Sequence, residues 1–185
     1  AIGAAAVAPQ SVAPANGGLE AHRQGAFGPA FPWPVIPIHM VLLPDGRIMA
    51  YGTDLLGRQG ASLHYVVWDP ALGSAPEAML QLANTTRSDI FCAGQLLLPR
   101  TGDVLLLGGD EYAAGDPEVG IADMNVFNPA SNVMTRQPQK MAFRRWYPTL
   151  VTTGGGEQVI LGGRINIVRS NGQVFEAIRE QNPLL

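Results

Sequence analysis

Short apolar runs, separated by turns rich in glycine and proline, dominate the chain after residue 40. Three stretches share one pattern, in which a turn containing glycine leads into a short apolar segment that ends in glycine. They are LLPDGRIMAYGT (42–53), LLLPRTGDVLLLGG (96–109) and TTGGGEQVILGG (152–163). Each pattern predicts two short β-strands joined by a tight turn, because glycine and proline set the backbone angles that such turns need.

These hairpins recur along the chain. The turn glycines Gly46 and Gly102 are 56 residues apart, and Gly102 and Gly155 are 53 apart. An aromatic strand follows each hairpin, at HYVVWDP (64–70), MNVFNP (124–129) and GQVFEAI (172–178). A period near 50 residues favours an all-β fold, a kelch-type β-propeller with about three blades in this chain. The rival interpretation, an antiparallel sandwich, also uses short strands but would not keep a period.

The domain organisation follows from the repeat. We expect residues 1–30 to form an extended N-terminal arm, with a disordered tail at 1–28 as the alternative, and residues 31–185 to form the N-terminal part of a propeller. A closed ring needs about 4–8 blades. We therefore expect the remaining blades to come from a second chain, a missing C-terminal segment or another copy of this chain.

Composition excludes several classes of protein. Lys and Arg number 12 against 15 Asp and Glu, a net charge of −3, which argues against nucleic-acid binding and against a polybasic membrane anchor. No apolar run approaches the ~18 residues of a transmembrane helix. The single cysteine, Cys92, excludes an intrachain disulfide and a paired-cysteine zinc site.

Two segments are unlike ordinary strand-and-turn sequence: SDIFCAGQ (88–95) and FRRWYPT (143–149). Cys92 and Tyr147 are 55 residues apart, which is one repeat. Equivalent positions on neighbouring blades lie close together, so we expect the two side chains to approach each other from the first strands of their blades. The alternatives are an inert buried thiol and a tyrosine that only packs.

The neighbouring residues have simpler interpretations. We expect Trp146 to pack between blades rather than to contact a cofactor. Arg144 and Arg145 are expected to pair with carboxylates, with steering of an anionic substrate as the alternative. Asp89 is expected to cap the turn before Cys92 rather than to act as a base.

Together these segments resemble the N-terminal blades of the copper-radical oxidases, the glyoxal oxidase branch more than galactose oxidase. The resemblance rests on WPVIPIHMVLLPDGRIMAYGTD (33–54), VVWDP (66–70), SDIFCAGQ, TGDVLLLGGD (101–110) and RRWYPTL (144–150), and runs from about Trp33 to Gly163. It implies a thioether bond between Cys92 and the ring of Tyr147, and makes Tyr147 a copper ligand. Both residues would then be catalytic and form the radical cofactor.

The implied reaction removes two electrons from a small aldehyde or primary alcohol and passes them to dioxygen, giving hydrogen peroxide. A ring that carries sulfur next to its hydroxyl is easier to oxidise than tyrosine, and phenolate and imidazole suit copper. The resemblance also implies a protein that is secreted, periplasmic or at the cell surface.

The match is incomplete in one respect. The family's other copper ligands are a tyrosine adjacent to a histidine and a second histidine, all on later blades, and this chain has no Tyr-His pair. Structural roles are expected for His39 and His64. We therefore expect the isolated chain to bind copper weakly and to lack oxidase activity. The alternative functions are a kelch-like propeller for binding or scaffolding, and a structural subunit beside a ligand-bearing chain.

Overall fold

A computed structural model describes residues 21–111, 119–170 and 173–179, and the chain divides into two units, Ala1–Pro32 and Trp33–Leu185. In the first unit the described residues include one short helix, α1 (Ala21–Gln24). Most of the predicted N-terminal arm lies outside the described residues. Within the described part of the chain, no helix is long and apolar enough to cross a membrane.

The second unit consists of antiparallel sheets in which each strand pairs with its neighbour in sequence, so the predicted all-β class is confirmed. The first sheet contains β1 (Ile36–Leu42), β2 (Ile48–Thr53), β3 (His64–Trp68) and β4 (Met79–Ala83). The second contains β5 (Gly94–Leu97), β6 (Val104–Leu107), β7 (Ile121–Asn128) and β8 (Val133–Arg145). Two-stranded sheets follow, formed by β9 (Thr149–Thr152) with β10 (Gln158–Leu161) and by β11 (Arg164–Ser170) with β12 (Gln173–Arg179).

The three predicted hairpins are present as β1–β2, β5–β6 and β9–β10. The backbone N–H groups of Leu43, Leu98 and Thr153 each donate to a carbonyl across the turn, at 2.8, 2.8 and 2.9 Å, and these residues are spaced 55 apart. In the third hairpin the left-handed glycine is Gly156 (φ 92°) rather than Gly155. The hairpin turns therefore repeat at one interval, and the second turn is one residue longer than the other two. The described residues contain no closed propeller.

The strand β6 lies between two hydrophobic cores. Its side chains alternate between the two faces of the sheet. Val104 and Leu106 enter a core shared with the first sheet, whereas Leu105 and Leu107 enter a second core that includes Ile160 of β10. All four β6 side chains are buried. This packing fixes the first sheet and the β9–β10 hairpin on opposite sides of the second sheet.

The beginnings of β5 and β9 lie side by side as a result. Gly94, the first residue of β5, is so close to the β9 segment that an added Cβ would lie 2.2 Å from the Leu150 side chain and 3.0 Å from the Pro148 carbonyl oxygen. Only glycine permits this approach. The residues that precede these two strands therefore meet, and they include both predicted site residues.

Candidate active site

Cys92 lies in the turn that precedes β5. The Ala93 N–H donates to the Ile90 carbonyl at 3.0 Å, which places Cys92 at the third position of the turn with a φ of 60°. That left-handed conformation is unusual for a residue with a side chain. The Cys92 side chain is fully buried.

Tyr147 occupies the equivalent position before β9 and has the same strained backbone, with a φ of 55°. The expectation that both residues lie on the first strands of their blades was therefore wrong, because each lies in the loop just before its strand. Within the described residues, only Arg87 and Asn132 share this conformation among non-glycine residues. Backbone strain of this kind concentrates at functional sites.

Cys92 and Tyr147 contact each other through backbone and side chain. The Tyr147 N–H donates to the Cys92 carbonyl oxygen at 2.9 Å. A hydrogen bond from the Tyr147 hydroxyl to the Cys92 sulfur, together with burial, raises the pKa of Tyr147 to about 12. The sulfur therefore lies beside the hydroxyl, while 51% of Tyr147 stays exposed. The pair combines a protected thiol with an accessible phenol.

Trp146 contacts the Tyr147 ring, which differs from the expectation of packing between blades. The two ring centroids are 4.4 Å apart in an edge-to-face arrangement. The Arg164 guanidinium lies over the Trp146 ring, 4.0 Å from its centroid, and the two residues also form an antiparallel bridge. The cation and the bridge hold Trp146 in place against one side of Tyr147.

His39 and Tyr51, on β1 and β2, approach the same site from the first sheet. They pair directly across the hairpin, and their rings stack at 5.0 Å with 21° between the planes. The His39 ring also lies near the rings of Phe91 and Tyr147, with 6.3 and 5.9 Å between the ring centroids. Burial lowers the pKa of His39 and raises the pKa of Tyr51.

Sequence reasoning gave His39 a structural role and did not consider Tyr51. The Pro-Asp-Gly turn predicts a register in which these two residues face each other, so their pairing could have been predicted from the sequence. The contact of His39 with Tyr147 could not be predicted from the sequence, since it depends on how the first sheet packs on the second.

Charged residues line a cleft of about 500 Å³ next to the Cys92 turn, including Asp89, Asp110 and Asp123. Asp89 Oδ1 accepts the Phe91 N–H at 2.9 Å, which confirms its turn-capping role. Burial, with a smaller contribution from the charge of Asp110, raises the pKa of Asp89 to about 6. Asp123 accepts hydrogen bonds from Ser88 and Arg136, at 2.9 and 2.7 Å.

The two arginines before Trp146 have different partners. Arg144 forms an ion pair with Glu111 at 2.5 Å, which confirms the expected pairing with a carboxylate. Arg145 is fully buried and donates to the Gly162 carbonyl oxygen. Its own carbonyl accepts the Gly109 N–H at 3.1 Å, so Arg145 connects the glycine pairs that follow β6 and β10.

The raised pKa of Asp89 predicts a pH-dependent stability. A carboxyl group that keeps its proton more tightly when folded stabilises the native state in acid, and this contribution is lost as the pH rises from about 4 to about 6. Asn at this position keeps the Oδ1 acceptor and removes the charge. We expect Asp89→Asn to have a free energy of unfolding about 2 kcal/mol higher than that of wild type at pH 7. Near pH 4 the two free energies should be the same. Urea unfolding at both pH values checks this, and equal differences at the two would contradict it.

Among the described residues, no group of three or more His, Cys, Asp and Glu side chains is arranged to hold a metal ion. The donors near Tyr147 are its own hydroxyl, the Cys92 sulfur and His39. His39 Nε2 is buried and has no hydrogen-bond partner in the described part of the chain. The site therefore offers oxygen, sulfur and nitrogen donors without a complete ligand set.

Comparison with solved structures gives a likeness of fold. No protein-family model and no curated protein match the chain. Among solved structures it is similar to a fungal alcohol oxidase of the AA5 family, in complex with copper, with a TM-score of 0.54 and 20% sequence identity. The likeness shows a shared fold. It covers 71% of this chain and 26% of the oxidase, so this chain spans about a quarter of the oxidase's length.

Proposed function

We propose that this chain is the N-terminal part of a copper-radical oxidase, of glyoxal oxidase type, which oxidises small aldehydes or primary alcohols with dioxygen. Its radical cofactor is a thioether between Cys92 and Tyr147, and Tyr147 is a copper ligand. The shared fold with a copper-complexed alcohol oxidase is consistent with this assignment but does not carry it.

The observation that carries the proposal is the arrangement of Cys92 and Tyr147. Two loops from successive hairpins, each strained at one residue, bring a buried thiol to the hydroxyl of a half-exposed phenol. A sulfur hydrogen-bonded to the hydroxyl is within reach of the ring carbon ortho to it, which carries a hydrogen atom. Formation of the carbon–sulfur bond there breaks the S–H and ring C–H bonds. The two electrons and two protons reduce one dioxygen to hydrogen peroxide.

Copper fits the donors that are present. Tyr147 is half exposed, and a phenolate oxygen is a ligand that suits copper. A bound copper ion would supply a one-electron acceptor next to the Tyr147 ring. The hydrogen bond to Cys92 and burial raise the pKa of Tyr147 to about 12, so binding of copper through this oxygen would have to displace its proton.

The residues of this chain have separate tasks in the proposed reaction. Tyr147 holds the electron vacancy and takes up hydrogen from the substrate carbon. Cys92, linked to the ring, spreads the unpaired electron onto sulfur. Trp146 covers one side of the ring and limits access of water to it. The substrate loses two electrons and two protons in each turnover, and dioxygen receives them as hydrogen peroxide.

The proposal includes a kelch-type propeller whose remaining blades come from further polypeptide. Three hairpins at one 55-residue interval and two four-stranded meanders support the repeat. An exported location and the absence of nucleic-acid partners belong to the same proposal. The later blades would supply the ligands that complete the metal site.

An oxygen assay tests the activity. The copper-loaded native polypeptide or assembly that carries this chain is supplied with a primary alcohol or a small aldehyde. We expect oxygen uptake with one hydrogen peroxide formed for each oxygen consumed. If the copper-loaded protein consumes no oxygen with any alcohol or aldehyde, the oxidase assignment is wrong and a binding or scaffolding propeller replaces it.

A further inference from the structure

The position of the Tyr147 ring beside Cys92 depends on contacts from neighbouring side chains. Half of the side chain is exposed, so the ring has room to turn toward solvent. Its hydrogen bond to the sulfur holds the hydroxyl, but one hydrogen bond at the end of the ring does not fix the plane of the ring. Contacts on the ring itself must set its position.

Trp146 does not connect the ring to the part of the protein that holds Cys92. It is the neighbour of Tyr147 in sequence, and its partner Arg164 follows β10 in the same part of the chain. The backbone hydrogen bond from the Tyr147 N–H to the Cys92 carbonyl joins the two loops, but it does not set the orientation of the Tyr147 ring. The Trp146 contact therefore comes from the loop that carries Tyr147 and not from the side of the site that holds Cys92.

His39 connects the two halves of the site. Its ring stacks on Tyr51, and the Tyr51 hydroxyl donates to the carbonyl of Ala93 at 3.3 Å, one residue after Cys92. The His39 ring also lies near the Tyr147 ring, with 5.9 Å between the ring centroids. Tyr51 is fully buried, so this cross-strand pair is anchored in the core between the first two sheets.

We propose that His39 is a positioning residue that holds the Tyr147 ring with the carbon ortho to its hydroxyl facing Cys92 Sγ. This inference rests on the proposed thioether cofactor and assigns a role to a residue outside the copper ligands. The ring of His39 carries the role, because it contacts both Tyr147 and the buried Tyr51. The effect on the linkage is large because a displacement of about 1 Å reduces the rate of such a step about a hundredfold.

Two substitutions separate the ring from its nitrogen atoms. His39→Ala removes the contact with Tyr147, whereas His39→Phe keeps an aromatic ring of similar size. His64→Ala is the matched control, since His64 is exposed on β3. Each variant is produced as the full native polypeptide without added copper, so that the linkage starts when copper and dioxygen are supplied, and circular dichroism establishes that it folds.

The readout is a pair of tryptic peptides joined by the thioether. Cleavage after arginine gives residues 88–100 with Cys92 and residues 146–164 with Tyr147, and linkage joins them with the loss of two hydrogens. We expect His39→Ala to form the joined peptide at least about tenfold more slowly than wild type after copper and dioxygen are added. His39→Phe and His64→Ala should form the joined peptide as fast as wild type. The link should lie on the ring carbon ortho to the hydroxyl.

The outcomes distinguish this inference from the proposed function. If wild type forms no joined peptide, the proposed cofactor is wrong and the role of His39 falls with it. If wild type and His39→Ala form it equally fast, only the positioning role is wrong. Slow formation in His39→Phe would also overturn the inference, because it would show that a nitrogen atom rather than the ring is needed. If His39→Ala does not fold, slow formation in a folded His39→Val supports the inference and normal formation overturns it.

Discussion

Replacement of Tyr147 by Phe is expected to abolish oxidase activity while leaving the fold intact. Tyr147→Phe keeps the ring that contacts Trp146 and His39 and removes only the hydroxyl. Without that oxygen the chain loses its copper ligand, its hydrogen bond to Cys92 and the group that makes the ring oxidisable. We expect the rate of hydrogen peroxide formation to fall by about a thousandfold or more, because loss of one residue from a group that acts as a unit removes most of the catalysis of the whole group.

Tyr65→Phe is the control for loss of a tyrosine hydroxyl. Tyr65 is buried in the first core and its hydroxyl donates to the Asn132 carbonyl at 3.1 Å, away from Cys92. This variant should keep the activity of wild type and show a small loss of stability, about 1 kcal/mol. A Tyr147→Phe protein that retained oxidase activity would show that the radical forms elsewhere.

The second large effect is expected on stability, at Gly109. Its φ is 132°, and a Cβ added there would lie 2.0 Å from the Asp89 carbonyl oxygen. That carbonyl accepts the Asp110 N–H at 3.0 Å, in the antiparallel bridge between Asp89 and Asp110. The clash would therefore disrupt the bridge that holds the segment before Cys92. We expect Gly109→Ala to lower the free energy of unfolding by about 3 kcal/mol or more, as measured by urea unfolding.

Gly154→Ala is the matched substitution. Gly154 belongs to the β9–β10 turn, and a Cβ added there meets no atom within 4 Å. Its effect on unfolding should stay within about 0.5 kcal/mol. Equal effects at the two positions would mean that the close approach of Gly109 to Asp89 is not maintained in solution.

Local patterns were sufficient to predict the strands and hairpins. The turns at Gly46 and Gly102 depend on residues adjacent in sequence, and the alternation within β6 follows from strand geometry. The repeat then related Cys92 to Tyr147, because equivalent loops of successive hairpins lie side by side. That relation used only spacing, so it was available without any knowledge of side-chain contacts.

The parts that sequence did not predict depend on tertiary packing. The left-handed backbone at Cys92 and Tyr147 places both residues in loops, although neither is a residue type that favours this conformation. The position of His39 depends on how the first sheet packs on the second. Trp146 was expected between blades, and only the bridge to Arg164 shows why it contacts Tyr147.

Peptide mass analysis of the copper-loaded wild-type protein tests the central claim most directly. After exposure to dioxygen, denaturation, alkylation and digestion with trypsin, the account predicts one species in which residues 88–100 and 146–164 are joined with the loss of two hydrogens. Cys92 should resist alkylation. Two separate peptides, with Cys92 fully alkylated in protein that has bound copper and met dioxygen, would contradict the account.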